Sequence, residues 1–203
     1  MLPTYKIQML NIFWSSCVNN ALEALSLMIR KNVKLLKSSV NIELINNIPK
    51  LMSPEEVTTT LVYTTIAGQF KGVIITSSSL KGFLKLMDIL LNKETNYYDA
   101  LNEENKSSII ELGGIINGYF ITSLNRLFNS KFDCERPMLS VNPYRAVEYF
   151  NFGNLYVEKI NVLTFHSNFN VEDVNIQGKL ILLLEESKTD MLLETISQNI
   201  KIV

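Results

Sequence analysis

Two polar residues, Ser107 and Glu111, stand four apart in the stretch Ser107-Ser108-Ile109-Ile110-Glu111-Leu112-Gly113-Gly114-Ile115-Ile116. In a helix they stack on one face about one turn from each other. Taken singly, Glu111 reads as a solvated surface acid, Ser107 as a helix-start residue and Pro137, further on, as a loop breaker. The usual nucleophile–base systems have little to work with. His166 is the sole histidine, so a Ser-His-Asp or Cys-His arrangement would have to use it. It lies in Leu163-Thr164-Phe165-His166-Ser167, which reads as the end of a strand, and is expected to be a structural or surface histidine. Cys17 and Cys134 are far apart and form no C-x-x-C, so neither a disulfide framework nor a zinc site is indicated. Both read as small thiols in or near the core of a reduced protein.

The element that must carry Ser107 and Glu111 is a helix. Ile109, Leu112, Ile116, Phe120, Leu124 and Leu127 recur three and four apart, the period of a single buried stripe. Asn102 can cap it, with Glu103 and Glu104 in a first turn whose dipole favours acids. Gly113 and Gly114 interrupt it, at a cost of roughly 1 kcal/mol each against alanine. Either another part of the chain, such as a second central helix, comes very close here, or a side chain has been lost at this point.

Composition bounds the rest. The 203 residues, 47% hydrophobic and 19% charged, suit one domain or two small halves and exclude a disordered chain. A formal net charge of -1 and the lack of a basic block argue against tracking nucleic-acid phosphates. The N-terminus lacks the order of a signal peptide, and no apolar run approaches the length of a membrane span, so a cytoplasmic protein without membrane insertion is expected. No cofactor or metal site is visible.

In chain order, 5–34 is helical, with Met9, Phe13, Cys17, Ala21, Ala24, Leu25 and Met28 on one stripe, widened by Leu10 and Trp14. A strand is expected over 33–45, and loops at Pro49, Ser53 and Pro54. The β-branched run 57–67 and the run 73–76, joined by Gly68-Gln69-Phe70-Lys71-Gly72, form a hairpin. Ser78 or Ser79 caps a helix over 80–91, and 92–98 is a polar loop. An irregular stretch over 138–154 holds a short helix at 145–150. Strands over 155–165 and 174–184 and a helix over 189–199 complete the chain.

The pieces repeat. Phe70-Lys71-Gly72-Val73-Ile74-Ile75 matches Ile176-Gln177-Gly178-Lys179-Leu180-Ile181, and the helix at 9–30 matches that at 108–129. The expected architecture is α/β (α+β): a duplicated module, repeats about 1–99 and 100–203. These form one pseudo-twofold domain with a largely antiparallel sheet and helices packed on it. A duplicated chain satisfies its symmetry internally, which favours a monomer.

On these residues the chain resembles the CheC/CheX/FliY family of chemotaxis and flagellar-switch proteins. The family motif is Asp or Ser, three residues, Glu, two residues, Asn, then 22 residues and Pro. Ser107, Glu111 and Pro137 fall at those spacings, and Gly114 stands where the motif carries Asn. Ile110-Glu111-Leu112-Gly113 is similar to the family's Glu-Ile-Gly-Asn segment. The repeat places Gln8, Ile12, Ser15 and Ser38 at the four positions of the first half, and none matches. Asn20-Ala21-Leu22-Glu23-Ala24-Leu25-Ser26 still resembles the family's Asn-Ala-Ala-Thr-Ala-Leu-Ser.

The resemblance implies dephosphorylation of the response regulator CheY. The Asn enters the regulator's site and orients an attacking water, while the Glu pairs with a regulator lysine. Such chemistry asks little of the phosphatase beyond positioning. Any Mg²⁺ belongs to the regulator. Loss of one positioned polar group commonly costs about 10²–10³-fold in rate, so Gly114 implies a regulator-binding protein with little or no phosphatase activity, using Ser107, Glu111, Gly114 and Pro137. The alternatives are a weak phosphatase acting through Ser107 and Glu111, and a non-catalytic flagellar-switch component or adaptor, including a partner of a CheD-like deamidase. Asn117 is a conceivable stand-in for the missing Asn, but it lies about 120° off the Glu111 direction.

Overall fold

The computed structural model describes residues 3–52, 59–93, 101–129, 131–148, 150 and 160–199. Two 26-residue helices, α1 (Thr4–Ile29) and α4 (Glu103–Phe128), form its centre. The Asn102 side chain caps α4, accepting from the Asn105 amide at 2.8 Å, and Glu103 and Glu104 occupy the first turn. α1 and α4 end on left-handed residues, Arg30 and Asn129. The shorter α3 (Leu80–Leu91) starts from Ser79, whose Oγ accepts from the Gly82 amide at 2.9 Å.

The seven-stranded antiparallel sheet runs β1 (Val33–Leu44), β6 (Asn161–Val171), β7 (Ile176–Glu185), β3 (Gly72–Ser79), β2 (Thr59–Ala67) and β4 (Asp133–Cys134), with β5 (Met138–Ser140) also on β2. The order reads the same from either edge when β1 is exchanged with the β4/β5 edge, β2 with β6 and β3 with β7. The register obeys the same exchange: Gly72 pairs with Leu184 and Gly178 with Ser78, while Ile75 pairs with Ile181. A pseudo-twofold axis through that central pair therefore makes Ile75 and Ile181 counterparts. The helices follow suit. Leu10, Phe13, Trp14, Cys17 and Val18 are buried on α1 where Ile109, Leu112, Gly113, Ile116 and Asn117 are buried on α4.

Long helices α1, α3, α4 and α6 (Thr189–Asn199) cover one face of the sheet over the larger core. Helices were expected on the sheet without a second layer; α2 (Ile48–Met52) and α5 (Pro143–Glu148) cover part of the other face, over Leu61, Tyr63, Val73, Ile181 and Leu183. Pro49 lies within α2 and not in a loop, because a proline needs no amide partner in a first helical turn. The stretch after Pro137 is not irregular at its start: Met138–Ser140 pairs with β2, and the short helix begins at Pro143. The strand expected to end at Phe165 runs on to Val171, which puts His166 in mid-strand. Ser53, Pro54, much of the loop over 92–98 and most of 151–160 lie outside the described residues. α1 is long and apolar enough to cross a membrane by length and composition, contrary to the run-length reading. One side of it is taken up by the core: Phe13, Trp14, Cys17 and Val18 are fully buried.

Candidate functional site

α4 turns one stripe outward. Ser107, Glu111, Ile115, Tyr119 and Thr122 are exposed along it, while Ile109, Leu112, Ile116 and Phe120 face the sheet. The Ser107 hydroxyl donates back to the Glu103 carbonyl at 3.0 Å, leaving its lone pairs outward. Glu111 makes no ion pair with any described residue. Along the same stripe stand the exposed apolar side chains of Ile115 and Tyr119, whereas Met138 on β5 faces the other side of the sheet, where the Tyr63 hydroxyl contacts its sulfur at 3.7 Å. The structure thus brings Ser107, Glu111, Gly114 and Pro137 onto one surface, because β5 pairs with β2 beneath α4 and carries Pro137 to the helix.

The glycine pair has a packing cause, but not the one expected. The close approach is to the sheet and its edge, not to the second central helix. A Cβ on Gly113 would stand 2.5 Å from Val62 Cβ, and one on Gly114 would stand 2.7 Å from Pro137 Cγ. Gly113 lets α4 settle onto β2. Gly114 is covered by the proline ring and offers no side chain to a partner.

Asn117 is not available to replace the missing amide. It is fully buried, with Oδ1 accepting from Thr76 Oγ1 at 2.7 Å and Nδ2 donating to Thr64 Oγ1 at 3.1 Å and to the Val62 carbonyl at 3.3 Å. Its side chain ties α4 to β2 and β3, the role expected of a satisfied buried amide. α1 has a network of its own with the sheet: Trp14 Nε1 donates to Ser167 Oγ at 2.6 Å, and Ser167 shares a hydrogen bond with Ser38. Around α1, Ile12 stands exposed where Glu111 stands on α4.

Of the remaining candidates, Cys17 is buried, which pushes its thiol far up. Cys134 is exposed on the edge strand β4 and not in the core; burial and the neighbouring Asp133 raise its thiol as well. Neither is an activated nucleophile. His166 is neutral at pH 7, held down to about 4 by burial first and then by the Lys179 charge. No group of His, Cys, Asp and Glu suited to a metal occurs among the described residues. Sequence reading missed β5, which carries Pro137 to α4; a strand of three residues holds too little pattern to announce itself.

No protein-family model matches the sequence, and no curated protein does. The fold does have counterparts. FliY from Thermotoga maritima superposes with a TM-score of 0.75 at 14% identity, over 98% of this chain and 100% of that one. The FliM middle domain from H. pylori gives 0.64 at 9%, over 96% and 99%. CheX in its complex with CheY, BeF3 and Mg²⁺ from Borrelia burgdorferi gives 0.56 at 19%, over 85% and 98%. At such identities the likeness is one of fold: the chain has the fold of the CheC-like, CheX, FliY and FliM proteins.

Proposed function

We propose that the protein is a cytoplasmic component of chemotaxis or flagellar signalling that docks a CheY-type response regulator on the outer stripe of α4 and does little or nothing to hydrolyse its phosphate. One observation carries this reading: Glu111 stands exposed, without an ion pair to a described residue, on one stripe with apolar Ile115 and Tyr119, while Gly114 beside it lies under the Pro137 ring. A carboxylate set in an apolar rim is fit to meet a cation and fix register. A site that must aim water has nothing to aim it with. The CheX neighbour was captured with CheY, which supports a regulator as partner. The matching burial of α1 and α4 and the symmetric register support an origin by duplication of a module of about half the chain, acting as a monomer.

The test is to follow phosphate loss from a CheY-type regulator of the same organism, labelled with acetyl phosphate, with and without the protein, and to measure binding in parallel. Binding without acceleration is expected. Acceleration matching that of a functional phosphatase would refute the reading and favour a weak or full enzyme acting through Ser107 and Glu111. Gly114→Asn restores hydrolysis only if the Pro137 ring moves aside, since a Cβ there would stand 2.7 Å from Pro137 Cγ, so the variant also reports whether the surface has closed. A second reading, a non-catalytic switch component or adaptor, draws on length: FliY and FliM cover nearly all of the chain, whereas CheX covers 85%. Failure to bind either form of the regulator would select it, and a CheD-like deamidase then becomes a partner to test.

A further inference from the structure

Three glycines stand inside α4, and packing explains two of them. Gly113 admits Val62, and Gly114 lies under the Pro137 ring. Gly118 has no such neighbour. A Cβ there would meet no described atom within 4 Å beyond its own helix backbone and chain neighbours. Its backbone is helical, so it does not draw on glycine's left-handed freedom either. A mid-helix glycine weakens the helix against alanine. Among the described residues nothing offsets that loss.

The position of Gly118 shows what a bare backbone can serve. Seven residues bring a helix to within about 20° of two full turns, so Gly118 lies in line with Glu111, roughly 10 Å along the axis. Exposed Ile115 and Tyr119 rise on one side of that line, and Thr122 is exposed one turn beyond. The centre of the outer stripe is therefore a gap, with a carboxylate at one end and apolar side chains beside it. The floor of the gap is satisfied. The Gly118 carbonyl accepts the Thr122 hydroxyl at 2.9 Å besides the helical amide of the same residue, which uses both lone pairs. The Gly118 amide is spent within the helix. Such a floor, beside Ile115 and Tyr119, suits an apolar occupant, since a polar one would be desolvated there without a partner.

We propose that Gly118 is the point of closest approach between α4 and a docked CheY-type regulator. The regulator seats an apolar side chain over the bare helix backbone, roughly 10 Å from the cation that meets Glu111. The inference rests on the docking reading above and adds the shape of the contact. Tyr119, of a residue type that often anchors interfaces, then closes over the seated side chain from the flank.

The test measures regulator affinity and thermal midpoint together, by calorimetry, for the parent chain, Gly118→Ala, Gly118→Leu and Asn19→Leu. Asn19 is exposed on α1 at the place that matches Gly118, by the offset that matches Ile12 with Glu111. Gly118→Ala should raise the midpoint by about 2–4 °C, because alanine suits a helix better. It should nonetheless weaken regulator binding about fivefold or more, because a methyl overfills a fitted contact. Gly118→Leu should weaken binding further, with a midpoint no lower than the parent's. Asn19→Leu should leave affinity within about twofold. Stability rising while binding falls is the signature, since a glycine that served the fold would lose both together. A Gly118→Ala chain of lower midpoint overturns the inference, and so does a loss in Asn19→Leu equal to that in Gly118→Leu. If the parent binds the regulator and both Gly118 variants bind it as tightly, the inference falls and docking through Glu111 stands. If the parent binds neither form of the regulator, the docking reading falls and takes this inference with it.

Discussion

Around α1, Ile12, Ser15 and Ser38 occupy the places that Glu111, Gly114 and Pro137 hold around α4. Inside, Trp14 stands where α4 has Gly113, and Val18 where it has Asn117. Both helices bury the same positions, yet they do so with different volumes and different hydrogen bonds. Trp14 fills its side by packing its ring, tilted, against Phe120 and Phe165 at centroid separations of 5.0 and 5.5 Å. Gly113 fills nothing and lets Val62 come up to the helix axis. The comparison teaches that this fold fixes which positions face inward and leaves open what fills them. A surface acid present at this position on one helix only, in line with exposed Ile115 and Tyr119, then owes nothing to the fold.

The sharpest way to break that comparison is to empty the filled side. Trp14→Ala removes a fully buried aromatic ring and leaves Ser167 without its donor. It should cost about 3–5 kcal/mol of unfolding free energy in urea titrations. The mirror experiment overfills the empty side: Gly113→Ala puts a methyl against Val62 and should cost about 1–3 kcal/mol. A neutral result for Gly113→Ala would mean that α4 can lift from β2 without penalty, and the packing account of the glycine pair would fall.

How much of this could be read from the chain alone varies by element. α3 and α6 carry clear periodicity and their limits were legible, as was the turn of the β2–β3 hairpin, while β3, expected over 73–76, runs on to Ser79. The α4 motif positions were legible as spacing. Their environment was not, because Gly113 and Gly114 report only a missing side chain, not what moved into the space. β5 and the extension of β6 past His166 were hidden, since pairing partners supplied by the opposite edge leave no local pattern. The buried role of Asn117 was hidden for the same reason: its partners, Thr64 and Thr76, lie far back in the sequence.

The outer face of the sheet offers a smaller contrast. His166 and its counterpart Tyr63 differ in that only the imidazole changes charge in mildly acid solution. In the folded protein burial and Lys179 hold the ring down to about 4, against an ordinary value of 6.5. Between those values the unfolded chain binds a proton that the folded one refuses. Stability should therefore be complete above about pH 6.5 and should fall as the pH drops toward 4, by about 2 kcal/mol given partial solvent screening. His166→Gln should flatten that slope in urea midpoints measured from pH 7 to 4, and Tyr63→Phe should not. An unchanged slope in His166→Gln would place the acid sensitivity elsewhere.

The smallest expected effect bears most directly on function. If the α4 stripe receives the regulator, reversing the charge of Glu111 should weaken binding while a lysine at its uncharged α1 counterpart, Ile12, should not. Glu111→Lys replaces an attractive pair with a like-charge one and should lower affinity for the regulator about tenfold or more. Ile12→Lys places a lysine on an exposed position of the other helix, with half the net change in charge, and should leave affinity within about twofold, since a solvated lysine away from the contact adds only screened, long-range electrostatics. Neither side chain supports the core, so urea midpoints of both variants should match the parent within about 0.5 kcal/mol. Equal losses in both would mean that the protein's overall charge, not a docking face, governs association. Loss in Ile12→Lys alone would move the contact to α1, and the asymmetry between the helices would then have to be read in the opposite sense: the exposed isoleucine as the anchor, and the exposed glutamate as the bystander.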